Sequence, residues 1–204
     1  RLGWAHGDDE IFSSEQFIEW FSFAGLNKGA SRIDFAKLEN MNAHYIKNSD
    51  DARLYDLMVA LAEELDDQFA LKGLKAHAET VKAALPALKT RAKTIVDLVK
   101  SAEFIYPARP LVFEDKAKAA IEGDALEILR EVTPVLEGLN DWSHDGIDAA
   151  LREFAEAKEL KFGKVAQPLR AAVTAKNASP GCFDVLLLLG RDESLSRLRE
   201  TTAV

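Results

Sequence analysis

The chain has 204 residues, of which 48% are hydrophobic and 29% charged, with a formal net charge of -8 at pH 7, and this predicts a soluble globular chain of one or two domains. No apolar run approaches the roughly 20 residues of a membrane-spanning helix, and no signal-peptide pattern opens the chain. The single cysteine, Cys182, excludes an internal disulfide, and the absence of CxxC, HExxH and clustered His/Cys spacings predicts no structural zinc.

Three helices are predicted in the first third of the chain. Ser13 and Gln16 form a capping box for the first. Residues 25–29 are predicted as a loop, and Asp34 as the cap of a second helix that ends near residues 48–50. The third follows from a 3.6-residue apolar period. The apolar faces are predicted to consist of Phe17, Ile18 and Phe21 in the first helix, Leu38, Met41 and Tyr45 in the second, and Leu54, Leu57, Met58, Leu61 and Leu65 in the third.

The middle of the chain is predicted to be helical with two interruptions. Residues 72–100 favour helix throughout, but Pro86 should break or kink it, because its ring removes one hydrogen bond and clashes with the preceding turn. Residues 106–110 hold two of the six prolines and are the best linker candidate. Short helices are predicted at 116–121 and 125–136. The side chains expected to face inward over 72–100 are Leu74, Val81, Leu85, Leu88, Ile95 and Val99.

A helix beginning at Ser143 or Asp145 is predicted to lead into a basic segment, residues 158–198. Its apolar positions are Ile147, Leu151 and Phe154. Pro168 and Pro180 predict helix entrances or kinks in the basic segment, because proline favours the first helical position and disfavours helix in the residue before it. No strand-like alternation is convincing anywhere in the sequence, so we predict an all-α fold.

The segment opened by Pro180 is predicted to be a buried helix. Ser179 could cap its first amides. Gly190 is the predicted stop. Just upstream, Arg170 is expected to point away from an inward face made by Leu169, Ala172 and Val173. Apolar side chains occupy every face of the predicted buried helix, at Phe183, Val185, Leu186, Leu187, Leu188 and Leu189.

Positive charge is concentrated in two stretches of an otherwise acidic chain. Residues 158–176 hold five basic residues against one acid, a net of +4, and residues 72–100 hold seven against two, a net of +5. Because Lys and Arg make the contacts to phosphate, these stretches predict a polynucleotide interface, although the acidic total weighs against one. The four histidines are scattered and no glycine-rich phosphate loop occurs, so no catalytic or metal-binding residue is predicted.

Three groups of residues resemble one known family. VAQPLRAAVT at residues 165–174, followed by SPGCFD at 179–184, is similar to the carboxy-terminal anticodon-binding region of bacterial glutamyl-tRNA synthetases. LGWAHGDDEIF at residues 2–12 resembles the segment after the KMSKS loop of that family. DFAKL at 34–38 and NAHYIK at 42–47 follow in the family's order. The resemblance covers essentially the whole chain, which begins at Arg1 and reads as a piece of something longer.

The resemblance implies an architecture and a reaction. Residues 1–48 would end a segment that contacts the inner side of the tRNA L, and residues 49–107 and 108–204 would form two helical subdomains that grip the anticodon. Members of this family attach glutamate to tRNA(Glu) using ATP and Mg²⁺, in a catalytic domain with HIGH- and KMSKS-like motifs. Neither motif occurs here, so this chain alone should be inactive and bind no cofactor. The implied protein is a cytoplasmic monomer whose partner is tRNA(Glu), not DNA or a membrane.

The resemblance also implies which side chains meet the anticodon. Arg91 matches an arginine that reads the last base, which is C in tRNA(Glu) and G in tRNA(Gln). A planar guanidinium can donate to the oxygen and ring nitrogen of cytosine, and it finds a different pattern on guanine. Arg170 matches a second anticodon-contacting arginine, and Cys182 a position against the first base, where leucine is expected. Gln167 and Ser179 would be neighbours, and contacts to the tRNA backbone are expected from Lys47, Lys89 and Lys164.

Simpler interpretations stand beside these assignments. Arg91 and Arg170 could be surface charges of helices, and Cys182 a small buried hydrophobe. Three aromatic residues are expected in the core rather than as stacking platforms for bases: Trp4, Trp20 and Phe21. The parent enzyme could also accept tRNA(Gln), or charge it instead. Outside this class, the chain could be a helical protein-interaction module without RNA binding.

Overall fold

The computed structural model describes residues 3–26 and 33–203. In these two ranges the chain forms α-helices, two 3₁₀ turns and no β-strand, which confirms the predicted all-α fold. Most of the loop predicted at residues 25–29 lies outside the described ranges, which omit residues 27–29. Its first residue, Gly25, ends the 3₁₀ turn Phe23–Gly25. Leu2, the first residue of the amino-terminal motif, also lies outside the described ranges.

The helices follow one another with short connections. In chain order they are α1 (Ser14–Trp20), α2 (Phe35–Asn48), α3 (Asp51–Glu64), α4 (Gln68–Ala76), α5 (Ala78–Leu88), α6 (Ile95–Ala102), α7 (Asp115–Ala119), α8 (Asp124–Glu137), α9 (His144–Ala157), α10 (Gly163–Thr174) and α11 (Cys182–Thr202). The second 3₁₀ turn, Glu103–Ile105, follows α6. None of these helices in the described residues is both long enough and apolar enough to span a membrane.

The predicted helix starts are confirmed by their capping geometry. The Ser13 hydroxyl accepts from the Gln16 amide at 3.2 Å, and the Gln16 side chain accepts from the Ser13 amide at 2.8 Å. The Asp34 carboxylate caps α2 through the Lys37 amide. Of the two residues considered for the start of α9, Ser143 is the cap. These side chains satisfy amides that the first helical turn leaves without a partner inside the helix.

Neither Pro86 nor Pro168 interrupts its helix, so the break predicted at Pro86 and the helix entrance predicted at Pro168 are wrong, whereas the kink that was the alternative at each position stays a prediction. Pro86 lies within α5, which continues to Leu88, and Pro168 lies within α10 rather than at its start. The predicted helix over 72–100 is divided instead at His77 and after Leu88. An interior proline costs roughly 3 kcal/mol. Burial of neighbouring side chains opposes that cost, since Leu85 and Leu169 are completely buried.

The start of α11 also differs from the prediction. Its cap is Gly181, and the Ser179 hydroxyl contacts the Pro180 carbonyl instead of a helix amide. Gly190 does interrupt the helix, with φ +73° and ψ 172°, as predicted. The helix is not buried on every face, because Leu187 is 38% exposed.

Two groups of helices build the core. Helix α3 packs against α4, α5 and α6, and α10 packs against α7, α8, α9 and α11. Helix α11 also contacts α5, so it joins the two groups. Most side chains expected to face inward in the middle of the chain are buried, and Ile95 is half-buried. The fully or nearly fully buried ones are Leu74, Val81, Leu85, Leu88 and Val99.

Helices α1 and α2 contribute little to this core. Helix α1 has no buried residue and α2 has only Ile46. Several side chains that were predicted to face inward are exposed: Ile18, Leu38, Tyr45, Leu57 and Leu65. The three aromatic residues expected in the core are only half-buried, in a local cluster where the ring of Trp4 lies 5.2 Å from that of Phe17 and 6.0 Å from that of Phe21. Trp20 stacks on His6 at 4.1 Å.

Candidate nucleic-acid interface

Arg91 reaches across from the first group of helices to the second. It follows α5, and its Nη1 donates to the Ser179 carbonyl oxygen at 3.0 Å, a contact between residues 88 positions apart. The Arg91 side chain is exposed, whereas Ser179 is only 5% exposed. A guanidinium has five N–H donors, so this bond leaves others available to a ligand.

A cavity of about 240 Å³ opens beside this contact. The end of α5 contributes Leu88 and the following turn Arg91, α6 contributes Asp97 and Ser101, and the loop before α11 contributes Ser179 and Pro180. The Asp97 carboxylate already accepts from the Lys93 and Thr94 amides, and the Ser101 hydroxyl donates to the Leu98 carbonyl. Of the described residues that line this largely apolar cavity, Arg91 is the cation, and its remaining N–H groups suit a planar ligand with acceptors on one edge.

Helix α10 presents a polar strip on the side opposite its buried face. Lys164 and Gln167 are exposed, and Arg170 is half-buried. Within the described residues, neither Lys164 nor Arg170 has an acidic partner. The predicted inward face of α10 is confirmed, because Leu169, Ala172 and Val173 are fully buried.

Cys182 lies at the first position of α11 and is only 8% exposed. Burial raises the pKa of its thiol to about 12, and the nearby positive charge of Arg170 opposes that rise. Both arginines therefore act on the turn of residues 179–182. Arg170 does so through its charge near Cys182, and Arg91 through its bond to Ser179. We call this turn with its two arginines the arginine-flanked turn.

The three lysines expected at the tRNA backbone differ in their environments. Lys47 and Lys164 are exposed, and neither forms an ion pair with a described residue. The Lys89 ammonium lies 2.7 Å from Asp51 and donates to the Ser49 carbonyl at 3.0 Å. Its side chain is only 19% exposed, so its charge is largely compensated inside the protein.

The two basic stretches carry less free charge than their composition indicates. Lys75 pairs with Glu63, Lys93 with Glu39, and Lys158 with Glu131. Lys176 lies 2.6 Å from Glu103 and 3.5 Å from Glu114. Most of these acids come from elsewhere in the chain, which is why a count over consecutive residues overestimates the positive charge.

Arg197 is a buried arginine that the sequence patterns do not indicate. Arg197 on α11 is 0% exposed and donates to the carbonyls of Phe104 at 2.5 Å and Val173 at 2.7 Å. Its Nε bonds to Glu193 at 2.7 Å, and Glu193 also pairs with Arg109 at 2.6 Å. Burial lowers the pKa of Arg197, an effect that Glu193 opposes. The sequence does place Ser194, Arg197 and Thr201 on one helical face, by their spacing of three and four residues. All three are buried.

Comparison with known proteins gives consistent similarities. Residues 53–202 match the sequence model of a family described as anticodon binding domain. The chain is 49% identical over 208 aligned positions to Glutamate--tRNA ligase 1 of Brucella melitensis, and equally identical to Glutamate--tRNA ligase 2 of Brucella ovis. Each alignment covers 97% of this chain and 42% of the ligase, so the chain spans about two fifths of the length of these relatives.

Solved structures give the same fold. The chain aligns over its whole length with a glutamate tRNA ligase from Elizabethkingia meningosepticum in complex with its amino acid, with a TM-score of 0.76 and 25% identity. It aligns likewise with a glutamate-tRNA synthetase from Elizabethkingia anophelis, with a TM-score of 0.79 and 24% identity. In both cases the alignment covers 39% of the longer chain.

Proposed function

The chain belongs to the anticodon-binding domain family, and from this premise we propose that it recognises the anticodon of tRNA(Glu) as part of a glutamate–tRNA ligase. The observation that carries the proposal is the exposed Arg91 side chain lining a cavity between the two helical groups. Identity of 49% to named glutamate–tRNA ligases supports glutamate as the amino acid and tRNA(Glu) as the partner.

Arg91 is the proposed reader of the last anticodon base. With one N–H bonded to the Ser179 carbonyl, the guanidinium is held in one orientation and keeps other donors for the acceptor edge of cytosine. Guanine presents a different pattern on its edge, so the arginine would favour C over G at this position. An unstacked base of the anticodon loop can enter such a cavity, as is usual in sequence-specific recognition of RNA.

The remaining site residues are proposed to surround the other anticodon bases and the backbone. Arg170 and Gln167 would contact bases from α10, and Cys182 would pack beneath the first base from its buried position. Lys164 would contact phosphate as a free exposed cation, as would Lys47 on α2. Ser179 would act through the carbonyl that holds Arg91. Lys89 would need to release Asp51 before it could bind phosphate, and its contribution would be correspondingly small.

The full-length protein is proposed to attach glutamate to tRNA(Glu), with ATP and Mg²⁺ bound in a catalytic part that lies outside this chain. We propose that it acts as a monomer in the cytoplasm. We also propose the division into residues 1–48, 49–107 and 108–204, which is supported by the packing of α3 with α4, α5 and α6 and of α10 with α7, α8, α9 and α11.

Binding titrations at one fixed salt concentration test the proposal. This chain is titrated against a tRNA(Glu) transcript and against the same transcript with its last anticodon base changed from C to G. We expect tighter binding to C. Arg91→Gln should cost about 1–3 kcal/mol of binding free energy for the C transcript and abolish the preference.

Arg53→Gln is the matched control for this titration. Arg53 is an exposed arginine of α3 outside the cavity, with no ion pair among the described residues, so its replacement removes the same charge. It should preserve the preference for C. Equal binding to both transcripts by the unmodified chain would remove discrimination and favour a parent enzyme that accepts tRNA(Gln). Failure to bind either transcript at low salt would favour a protein-interaction module instead.

A further inference from the structure

Lys176 joins the two helical groups beside the arginine-flanked turn. It lies in the loop between α10 and α11, and its side chain is only 23% exposed. Its ammonium bonds to Glu103, in the 3₁₀ turn that ends the first group, and lies 3.5 Å from Glu114, the cap of α7 in the second group. Burial alone would lower the pKa of Lys176, but the two glutamates together outweigh this effect and raise it.

The rest of the loop is fixed by bonds to the same region. The Glu114 amide donates to the Ala175 carbonyl at 3.0 Å, and the Glu114 carboxylate accepts from the Asn177 amide at 2.7 Å. The Asn177 side chain accepts from the Ala117 amide at 3.0 Å. Two residues further along the chain, the Ser179 carbonyl accepts from Arg91. Among the described residues of the loop, Lys176 is the one that binds a carboxylate of the first helical group.

We propose that Lys176 is a positioning residue for anticodon reading. By binding Glu103 and Glu114, it fixes the position of the loop between α10 and α11, and therefore the position of the Ser179 carbonyl that orients Arg91. This inference rests on the proposed function, because it concerns how selectively the site reads the base. Lys176 would not itself touch the RNA. Its location in the basic stretch 158–176 favours a direct phosphate contact, so the two roles need to be separated by experiment.

The two roles predict different responses to the same substitutions. If Lys176 positions the loop, Lys176→Met should lower the preference for C over G by roughly threefold or more and leave the salt dependence of binding unchanged. Glu103→Gln should lower the preference as well, and Lys176→Arg, which keeps the ion pair, should restore most of it. If Lys176 binds phosphate, Lys176→Met should weaken both complexes equally and lower the salt slope by about one. Glu103→Gln should then tighten binding.

The measurement is the ratio of dissociation constants for the C and G transcripts, at several salt concentrations, for each variant. Lys158→Met is the matched control, because it breaks a lysine–glutamate pair of 2.7 Å on the same helical group without touching the loop. It should leave the ratio unchanged. Circular dichroism checks the fold of each variant, and if Lys176→Met does not fold, the ratio for Glu103→Gln decides.

An unchanged ratio in folded Lys176→Met and Glu103→Gln would overturn the positioning role, as would an equal loss for both transcripts with a smaller salt slope. Binding of the unmodified chain to neither transcript would instead refute the proposed function, so the two failures are recognised separately. A lowered ratio at constant salt slope in both variants supports the inference.

Discussion

Arg91 donates one N–H group to the Ser179 carbonyl, whereas Lys89, two residues earlier, is bound to Asp51 and to the Ser49 carbonyl. The two residues carry the same charge in the sequence, but only Arg91 remains able to bind a ligand without losing a partner. Lys164 and Lys176 differ in the same way: Lys164 has no ion pair with a described residue, whereas Lys176 binds two glutamates. Which cations stay available to a ligand is therefore decided by acids 38 to 73 residues away, and local composition cannot reveal it.

The buried thiol of Cys182 provides a prediction at the residue scale. Only the thiolate reacts with iodoacetamide, and burial raises the pKa of Cys182 to about 12. Between pH 7 and pH 10 the alkylation rate of the folded chain should therefore keep rising about tenfold per pH unit, because the thiolate fraction does so below the pKa. In denaturant the rate should level off above about pH 8.5, the ordinary pKa of cysteine. A plateau near pH 8.5 in the folded chain would contradict the burial of this thiol.

Local signals predict where these helices begin better than whether a proline interrupts them. Ser13, Asp34 and Ser143 act as caps through side-chain bonds to amides three residues later, and such short-range bonds depend on few other contacts. Pro86 does not break α5 and Pro168 does not begin α10, because neighbouring side chains of the same helices, such as Leu85 and Leu169, are buried in the core. Ser179 is not the cap because α11 begins only at Cys182, which makes Gly181 the cap and leaves Ser179 two residues before it.

The interruption of α11 depends on the backbone conformation of Gly190, and this gives a prediction at the scale of an element. With φ +73° and ψ 172°, this residue occupies a region of backbone space that is essentially restricted to glycine. Gly190→Ala should therefore lower the free energy of unfolding by about 1–3 kcal/mol in urea titrations. Gly138→Ala is the control, since Gly138 has φ -78° and ψ -7° and an added Cβ would meet its nearest atom at 3.5 Å. Similar effects of both substitutions would contradict the backbone argument.

At the scale of the whole molecule, the candidate site exists only because two groups of helices meet. Apolar spacing was enough to predict an all-α chain, and the order of short motifs was enough to indicate the family. The bond between Arg91 and Ser179 joins residues 88 positions apart, and Arg197 reaches segments 24 and 93 positions away. Such contacts are set by the packing of α11 against both groups, and no local pattern in the sequence encodes them.

The central claim is that the last anticodon base enters the cavity beside the contact of Arg91 with Ser179. Photocrosslinking tests it most directly, using an anticodon stem-loop of tRNA(Glu) with a photoreactive cytidine analogue as its last anticodon base. After irradiation with this chain, peptides attached to the RNA are identified by mass spectrometry. We expect crosslinks to residues 87–101 or 178–180, the segments that line the cavity. Crosslinks confined to any other part of the chain would contradict the account.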